Sequence, residues 1–202
     1  MAEDTWAGLA DRFADDAYAS VKGYVRTQVL HQQLLEHLPP PPATVLDVGG
    51  GAGHQSFPLA EIGYQITLLD PSAAMLDRAR QRLDRLSETP RHRVNLLQAA
   101  GEEAAAAVAG RRFDAVLCHG VLGYLDDPGP MVGQLCRCVA AGGIVSIMTA
   151  NARAMAVRPD LEQRWDDALA AFDARTEVEM QAARRDPYRQ LSRVFHLIGR
   201  QG

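Results

Sequence analysis

The stretch Thr44 to Gly53, Thr-Val-Leu-Asp-Val-Gly-Gly-Gly-Ala-Gly, constrains the fold more than any other. Val45, Leu46 and Val48 form a short apolar run of strand-forming residues. It breaks into four glycines within five positions, the pattern of a buried parallel strand entering a loop. Without a Cβ at Gly49, Gly51 and Gly53, the backbone can take positive φ and let a ligand lie directly against it. A dinucleotide-binding loop requires Gly-x-Gly-x-x-Gly. Counted from Gly49 the third place is His54, and counted from Gly51 it is Ser56, so the NAD reading fails on register. A glycine-rich turn without a ligand is the alternative reading.

Length and composition narrow the classes. The chain has 202 residues, enough for one α/β domain and short for two, with 47% hydrophobic and 23% charged residues. Acidic residues exceed basic ones, 25 to 21, for a net charge of −4, so any polyanion site must be a local patch. Cys118, Cys136 and Cys138 form no Cys-x-x-Cys pair and read as buried thiols in a reducing cytoplasm. Cys136 and Cys138 point to different faces of an expected helix, and no metal site is predicted. Met-Ala-Glu-Asp-Thr at the start has no signal-like basic region, and no run approaches a membrane span. The expectation is a cytoplasmic protein, its oligomeric state left open.

Taken in order, the spacing predicts helix from Trp6 to Leu38, with Phe13, Ala17 and Val21 on one stripe and Val25, Val29, Leu30, Leu34 and Leu38 on the next. Pro39 to Pro42 then form a rigid, extended spacer. After the first strand and its loop come a helix over His54 to Ile62, a second strand over Gln65 to Leu69 and a helix over Pro71 to Leu86. The third strand is Val94 to Leu97, the following short helix Ala104 to Val108, and the fourth strand Phe113 to Cys118. A helix over Met131 to Ala140, a turn at Ala141-Gly142-Gly143 and a fifth strand over Ile144 to Met148 complete the alternation. Strands alternating with helices predict a doubly wound, mostly parallel α/β sheet, preceded by N-terminal helices.

Asp70 ends the second strand about 20 residues after the loop, where a carboxylate can accept from both hydroxyls of a ribose. A helix N-cap before Pro71 is the alternative reading and both roles can hold together, but the strand-end position favours ribose binding. His119 and Tyr124 follow the fourth strand, at the carboxyl edge where open parallel sheets bind ligands. His119 also admits a purely structural reading.

The set Asp47-x-Gly49-x-Gly51-x-Gly53 resembles motif I of the class I S-adenosylmethionine-dependent methyltransferases. A closer resemblance is carried by Tyr18, Lys22-Gly23-x-x-Arg26, the glycine loop, Asp70-x-Ser72-Ala73-x-Met75 and His119-x-Val121-Leu122. From about Phe13 to Asn151, and again from Arg185-Asp186-Pro187-Tyr188 onward, the chain is similar to the bacterial tRNA 5-carboxymethoxyuridine methyltransferases. That likeness implies a Rossmann-like sheet and S-adenosyl-L-methionine as cofactor, with Arg26, Gly49, Gly50, Asp70, Ala99, Ala100 and His119 upon it. Asp47, Gly51 and Gly53 join them through motif I. It also implies a carboxylate or hydroxyl methyl acceptor, with a modified tRNA wobble uridine as one candidate. A small-molecule methyltransferase of secondary metabolism and a non-catalytic cofactor-binding protein are the alternatives. Between Asn151 and Arg184 the pattern departs from the family, and the family's carboxylate-reading Tyr-Arg pair has no counterpart. His119, Tyr124, Arg153 and Arg158 are therefore the candidates for holding the acceptor. Leu161, Trp165, Leu169 and Phe172 predict a helix in this segment. The expected organisation is a helical cap over 1–42, a cofactor-binding core over 43–150 and a shortened substrate segment over 151–202.

Overall fold

The computed structural model describes residues 21–150 and 194–202. Its frame is a six-stranded sheet in the order β3-β2-β1-β4-β5-β6. The strands are β1 (Thr44–Val48), β2 (Gln65–Asp70), β3 (Val94–Gln98), β4 (Phe113–His119), β5 (Val139–Ala150) and β6 (Val194–Arg200). The first five run parallel and β6 pairs antiparallel with β5, so the sheet is mostly parallel, as the alternation of elements predicted. The order turns back between β1 and β4, which opens a crevice at the carboxyl ends of those strands.

The helices are α1 (Val21–Leu35), α2 (Ser56–Glu61), α3 (Ala73–Leu83), α4 (Glu88–Arg91), α5 (Ala104–Ala107) and α6 (Gly129–Cys138). Central parallel strands are covered on both faces, and their near-continuous apolar sequences are the consequence. Val45, Ile66, Leu68, Ala115 and Leu117 point to one face, where they pack with Leu34 of α1, Phe57 and Leu59 of α2 and Leu76 of α3. Leu46, Leu69, Val116 and Cys118 point to the other, against Ala104 of α5 and Met131 and Leu135 of α6. Period-2 alternation therefore sorts the strands into two cores.

Several element bounds differ from the sequence-based expectation. Helix α1 ends at Leu35, and the chain bends at Pro41 and Pro42 where an extended spacer was predicted. Helix α3 begins at Ala73 because Ser72 is its N-cap, its side chain accepting from Met75 N–H at 3.3 Å. Asp70 is thus not that cap. The expected turn at Ala141-Gly142-Gly143 lies inside β5, as an irregularity between the Phe113–Val139 and Ala115–Ile144 pairs. The end of the chain holds it in the sheet: Gly142 N–H donates to Gln201 O at 2.9 Å, and Gln201 N–H to Gly143 O at 3.0 Å. The Cys136 thiol is exposed, contrary to expectation, while Cys118 and Cys138 are buried. The stripe of Phe13 and Ala17, the helix expected over 161–172 and the resemblance over Arg185 to Tyr188 lie outside the described residues.

The amino ends of β1 and β4 are joined by side chains as well as by the ladder. Asp114 Oδ2 accepts from Thr44 N–H and Thr44 Oγ1, both at 2.8 Å, while Asp114 N–H donates to Thr44 Oγ1 at 3.1 Å. Asp114→Ala leaves the Thr44 donors without their acceptor and is expected to lower stability by about 1–3 kcal/mol. Urea unfolding measures it, and an unchanged midpoint would show that the strand ladder suffices.

Candidate functional site

The glycine loop is held by the end of β2. Gly49 N–H and Gly50 N–H both reach Leu69 O, at 2.7 and 3.2 Å. Gly51 N–H donates to Asp70 Oδ2 at 2.9 Å, and Ser72 N–H donates to Asp70 Oδ1 at 2.9 Å. One buried carboxylate thereby fixes both the loop after β1 and the entry to α3. The glycines serve different ends. Gly53, at φ +75°, has no room for a Cβ, which would lie 2.5 Å from the Phe57 ring. Gly51, at φ +54°, faces open space, where an added Cβ would meet only Met75 Cε at 3.7 Å. Packing demands the first glycine, whereas left-handed backbone and an accessible ligand surface account for the second.

That open space is a cavity of about 560 Å³ at the carboxyl edge of the sheet. Of the predicted site residues, Arg26, Gly49, Gly51, Asp70, His119 and Tyr124 line it. Asp47, Gly50, Gly53, Ala99 and Ala100 stand outside its wall, and Arg153 and Arg158 lie outside the described residues. Asp47 is excluded because its side chain turns into the core, where it is 2% exposed and its Oδ2 has no partner. The sequence reading did not place His54, Met131, Met148 or Thr149 at the site, and they also line the cavity. Met148 and Thr149 belong to the carboxyl end of β5, so the strand-end rule that found His119 could have found them. Tyr124, 60% exposed, stands in a short 3-10 turn over Leu122–Tyr124.

Burial sets the electrostatics of this region. It pushes the Asp47 carboxyl up to about 7, with the nearby Asp70 carboxylate adding to the effect. Burial likewise lowers His54 to about 4, helped by the Arg82 charge, and His119 to about 3, helped by His196. His119 and His54 are consequently neutral near pH 7. His119 Nε2 lies 2.8 Å from Ser146 Oγ, and Ser146 Oγ lies 2.8 Å from His196 Nε2. Among the described residues no group of three or more His, Cys, Asp or Glu could hold a metal ion, and no helix is long and apolar enough to cross a membrane.

Residues 46–145 match the family described as "Methyltransferase domain". Among curated proteins, the chain is 30% identical over 175 residues to tRNA 5-carboxymethoxyuridine methyltransferase of Escherichia coli (strain K12), covering 85% of this chain and 66% of that protein. It is also 30% identical over 148 residues to a ubiquinone biosynthesis O-methyltransferase of Xanthomonas axonopodis pv. citri (strain 306), covering 73% and 60% respectively. The chain thus spans just under two thirds of the length of these relatives. Among solved structures, the magnesium protoporphyrin IX methyltransferase ChlM of Synechocystis PCC 6803 with bound SAH superimposes with a TM-score of 0.62 at 18% identity, over 74% of this chain and 71% of that one. The glycopeptide N-methyltransferase MtfA complexed with (S)-adenosyl-L-methionine gives a TM-score of 0.55 at 23% identity, over 64% and 57%. At these identities the structures establish the shared Rossmann-like fold.

The buried Asp47 generates a pH signature. Between its ordinary value of 3.8 and about 7, the unfolded chain is ionised at this carboxyl while the folded protein keeps its proton. Stability therefore falls as pH rises through that window, by up to about 1.4 kcal/mol per unit, and the dependence ends above it. Asp47→Asn lacks this proton. The stability of the wild type relative to Asp47→Asn, from urea titrations, should decline from pH 4 to 7 and then level off. A difference independent of pH would mean that Asp47 is ionised in the folded state.

Proposed function

Because the chain belongs, through residues 46–145, to the methyltransferase domain family, we propose that it transfers a methyl group from S-adenosyl-L-methionine to an oxygen of a carboxylate or hydroxyl acceptor. The observation that carries this reading is the Asp70 carboxylate, which lines the cavity while fastening Gly51. Its oxygens accept from the backbone N–H groups of Gly51 and Ser72, and a carboxylate is the group that can receive both hydroxyls of a ribose. Gly51 leaves room for the amino-acid end of the cofactor to lie against the backbone. The Arg26 guanidinium, also in the wall, suits the carboxylate of that end. The residues present therefore fit the cofactor.

When bound, S-adenosyl-L-methionine supplies an activated methyl group on a sulfonium. The protein's part is to align the acceptor oxygen with that methyl and to exclude water, since in-line displacement depends on orientation. His119 and Tyr124 line the cavity from the end of β4 and beyond, and in this reading they hold the acceptor. The same reading assigns cofactor binding to residues 43–150, a capping role to 1–42 and substrate contacts to 151–202, with Arg153 and Arg158 as candidates outside the described residues. Similarity to the tRNA 5-carboxymethoxyuridine methyltransferase supports a modified tRNA wobble uridine as acceptor, and similarity to the ubiquinone O-methyltransferases supports a small molecule.

Calorimetry with S-adenosyl-L-methionine tests the assignment. Asp70→Ala should weaken binding by about 2 kcal/mol or more, since hydrogen bonds to a charged acceptor are lost. Wild-type affinity in a folded Asp70→Ala protein would restrict Asp70 to fastening the loop. Tight binding by the wild type without methyl transfer to any RNA, carboxylate or hydroxyl acceptor would favour a non-catalytic binder.

A further inference from the structure

Arg26 reaches the cavity from α1, whereas Gly49, Asp70 and His119 reach it from the ends of β1, β2 and β4. The sheet ladder sets the places of those three, but a helix spends its backbone hydrogen bonds on itself and has no ladder to its neighbours. Leu30 and Leu34 are buried and press α1 onto the core. Apolar contact is non-directional, so packing alone specifies the roll of the helix about its axis only weakly.

Two polar contacts supply the direction. On one flank Gln55 Nε2 donates to His31 Nδ1 at 3.2 Å. Gln55 is buried directly before α2, just beyond the glycine loop. On the other flank His196 Nδ1 lies 2.9 Å from Gln33 Oε1, 163 positions away in the sequence. An amide oxygen can only accept, so the ring donates to it from Nδ1–H. His196 is itself anchored, because its Nε2 lies 2.8 Å from Oγ of Ser146, a fully buried residue of β5, and His119 Nε2 lies 2.8 Å from the same oxygen. The two rings meet edge to face, with centroids 5.7 Å apart. Gln33 is thereby tied to β6, β5 and β4, and His31 to the start of α2.

Successive residues advance about 100° around a helix axis, so His31 and Gln33 fall on either side of the Leu30–Leu34 stripe. Arg26 falls on the Gln33 side, two turns and about 10 Å before it. A contact on each flank opposes rolling in both directions, and a rigid helix passes that constraint along to Arg26. Burial lowers His31 below its ordinary value, and burial with the nearby His37 lowers His196 to about 4. Both rings are therefore neutral near pH 7, as these two bonds require.

We propose that His31 and Gln33 are positioning residues for cofactor binding: by pinning α1 at both flanks, they hold the Arg26 guanidinium where the carboxylate at the amino-acid end of S-adenosyl-L-methionine meets it. This deepens the reading of Arg26 given above and rests upon it. Pairing of a guanidinium with a carboxylate requires two planar groups to be aligned. An arginine whose helix is fixed before the ligand arrives loses less freedom on binding, and affinity rises accordingly.

Calorimetry with two ligands tests the proposal: S-adenosyl-L-homocysteine, which has the amino-acid end, and 5′-methylthioadenosine, which lacks it. Gln33→Leu and His31→Leu should each bind S-adenosyl-L-homocysteine roughly two- to tenfold more weakly than the wild type, the range of one hydrogen bond. Both should bind 5′-methylthioadenosine as the wild type does, which also shows that they are folded. Gln33→Glu keeps an acceptor for His196 and should restore wild-type affinity. In an Arg26→Ala background neither Leu substitution should weaken S-adenosyl-L-homocysteine binding further. Equal losses for the two ligands in both Leu variants would overturn the proposal, as would unchanged S-adenosyl-L-homocysteine affinity in both, or a further loss in the Arg26→Ala background. Wild-type affinity in Arg26→Ala itself would reject the reading of Arg26, and the proposal with it. Failure of the wild type to bind S-adenosyl-L-homocysteine would count against the methyltransferase reading as a whole.

Discussion

The structure depends on how the end of β2 grips the loop that leaves β1. Two backbone amides converge on the Leu69 carbonyl, and a third donates to the Asp70 carboxylate. Helical or sheet partners are absent where a strand stops, and buried amides without partners cost free energy. A loop of small residues can fold back tightly enough to find these acceptors. The same carboxylate accepts from Ser72, so the route of the chain into α3 is set from the same point. With the loop secured at its inner side, its outer side is left free for a ligand.

Sheet polarity does the rest of the positioning. Parallel pairing brings the carboxyl ends of β1, β2, β4 and β5 to one edge, where Gly49, Asp70, His119 and Met148 surround a common space. The two apolar layers behind them keep that edge rigid, and buried packing of this kind transmits little slack. Within this frame the polar groups behave differently. Asp114 is answered by Thr44, whereas Asp47 keeps an oxygen without a partner and burial pushes its carboxyl up to about 7. A buried polar group in the latter state costs stability, so Asp47 is a place where the core is not optimised for folding alone.

What the sequence made legible was local or periodic. The glycine loop, the carboxylate at the end of the second strand and the strand-helix alternation all have short-range signals, and they yielded the fold and the inner wall of the cavity. Asp47 misled because its place in the motif suggests a ligand, while the strand pleat turns its side chain into the core. Ala99 and Ala100 lie beyond the end of β3, yet the wall there is made by Gly101 and Glu102. Cys136 and Cys138 were rightly separated onto two helix faces, and the exposure of Cys136 follows from that separation. The Gln33–His196–Ser146–His119 row had no local signal at all. Its members are brought together by an antiparallel last strand and by α1, and pairings of such long range leave no periodic trace.

The central claim is that the cavity at the switch between β1 and β4 is the cofactor site. A crystal structure of the protein grown with S-adenosyl-L-homocysteine tests it most directly. The account predicts the ligand in this cavity, its ribose hydroxyls on the Asp70 carboxylate and its amino-acid end along Gly51 near Arg26. A ligand bound elsewhere, or in this cavity with its ribose away from Asp70, would contradict the account.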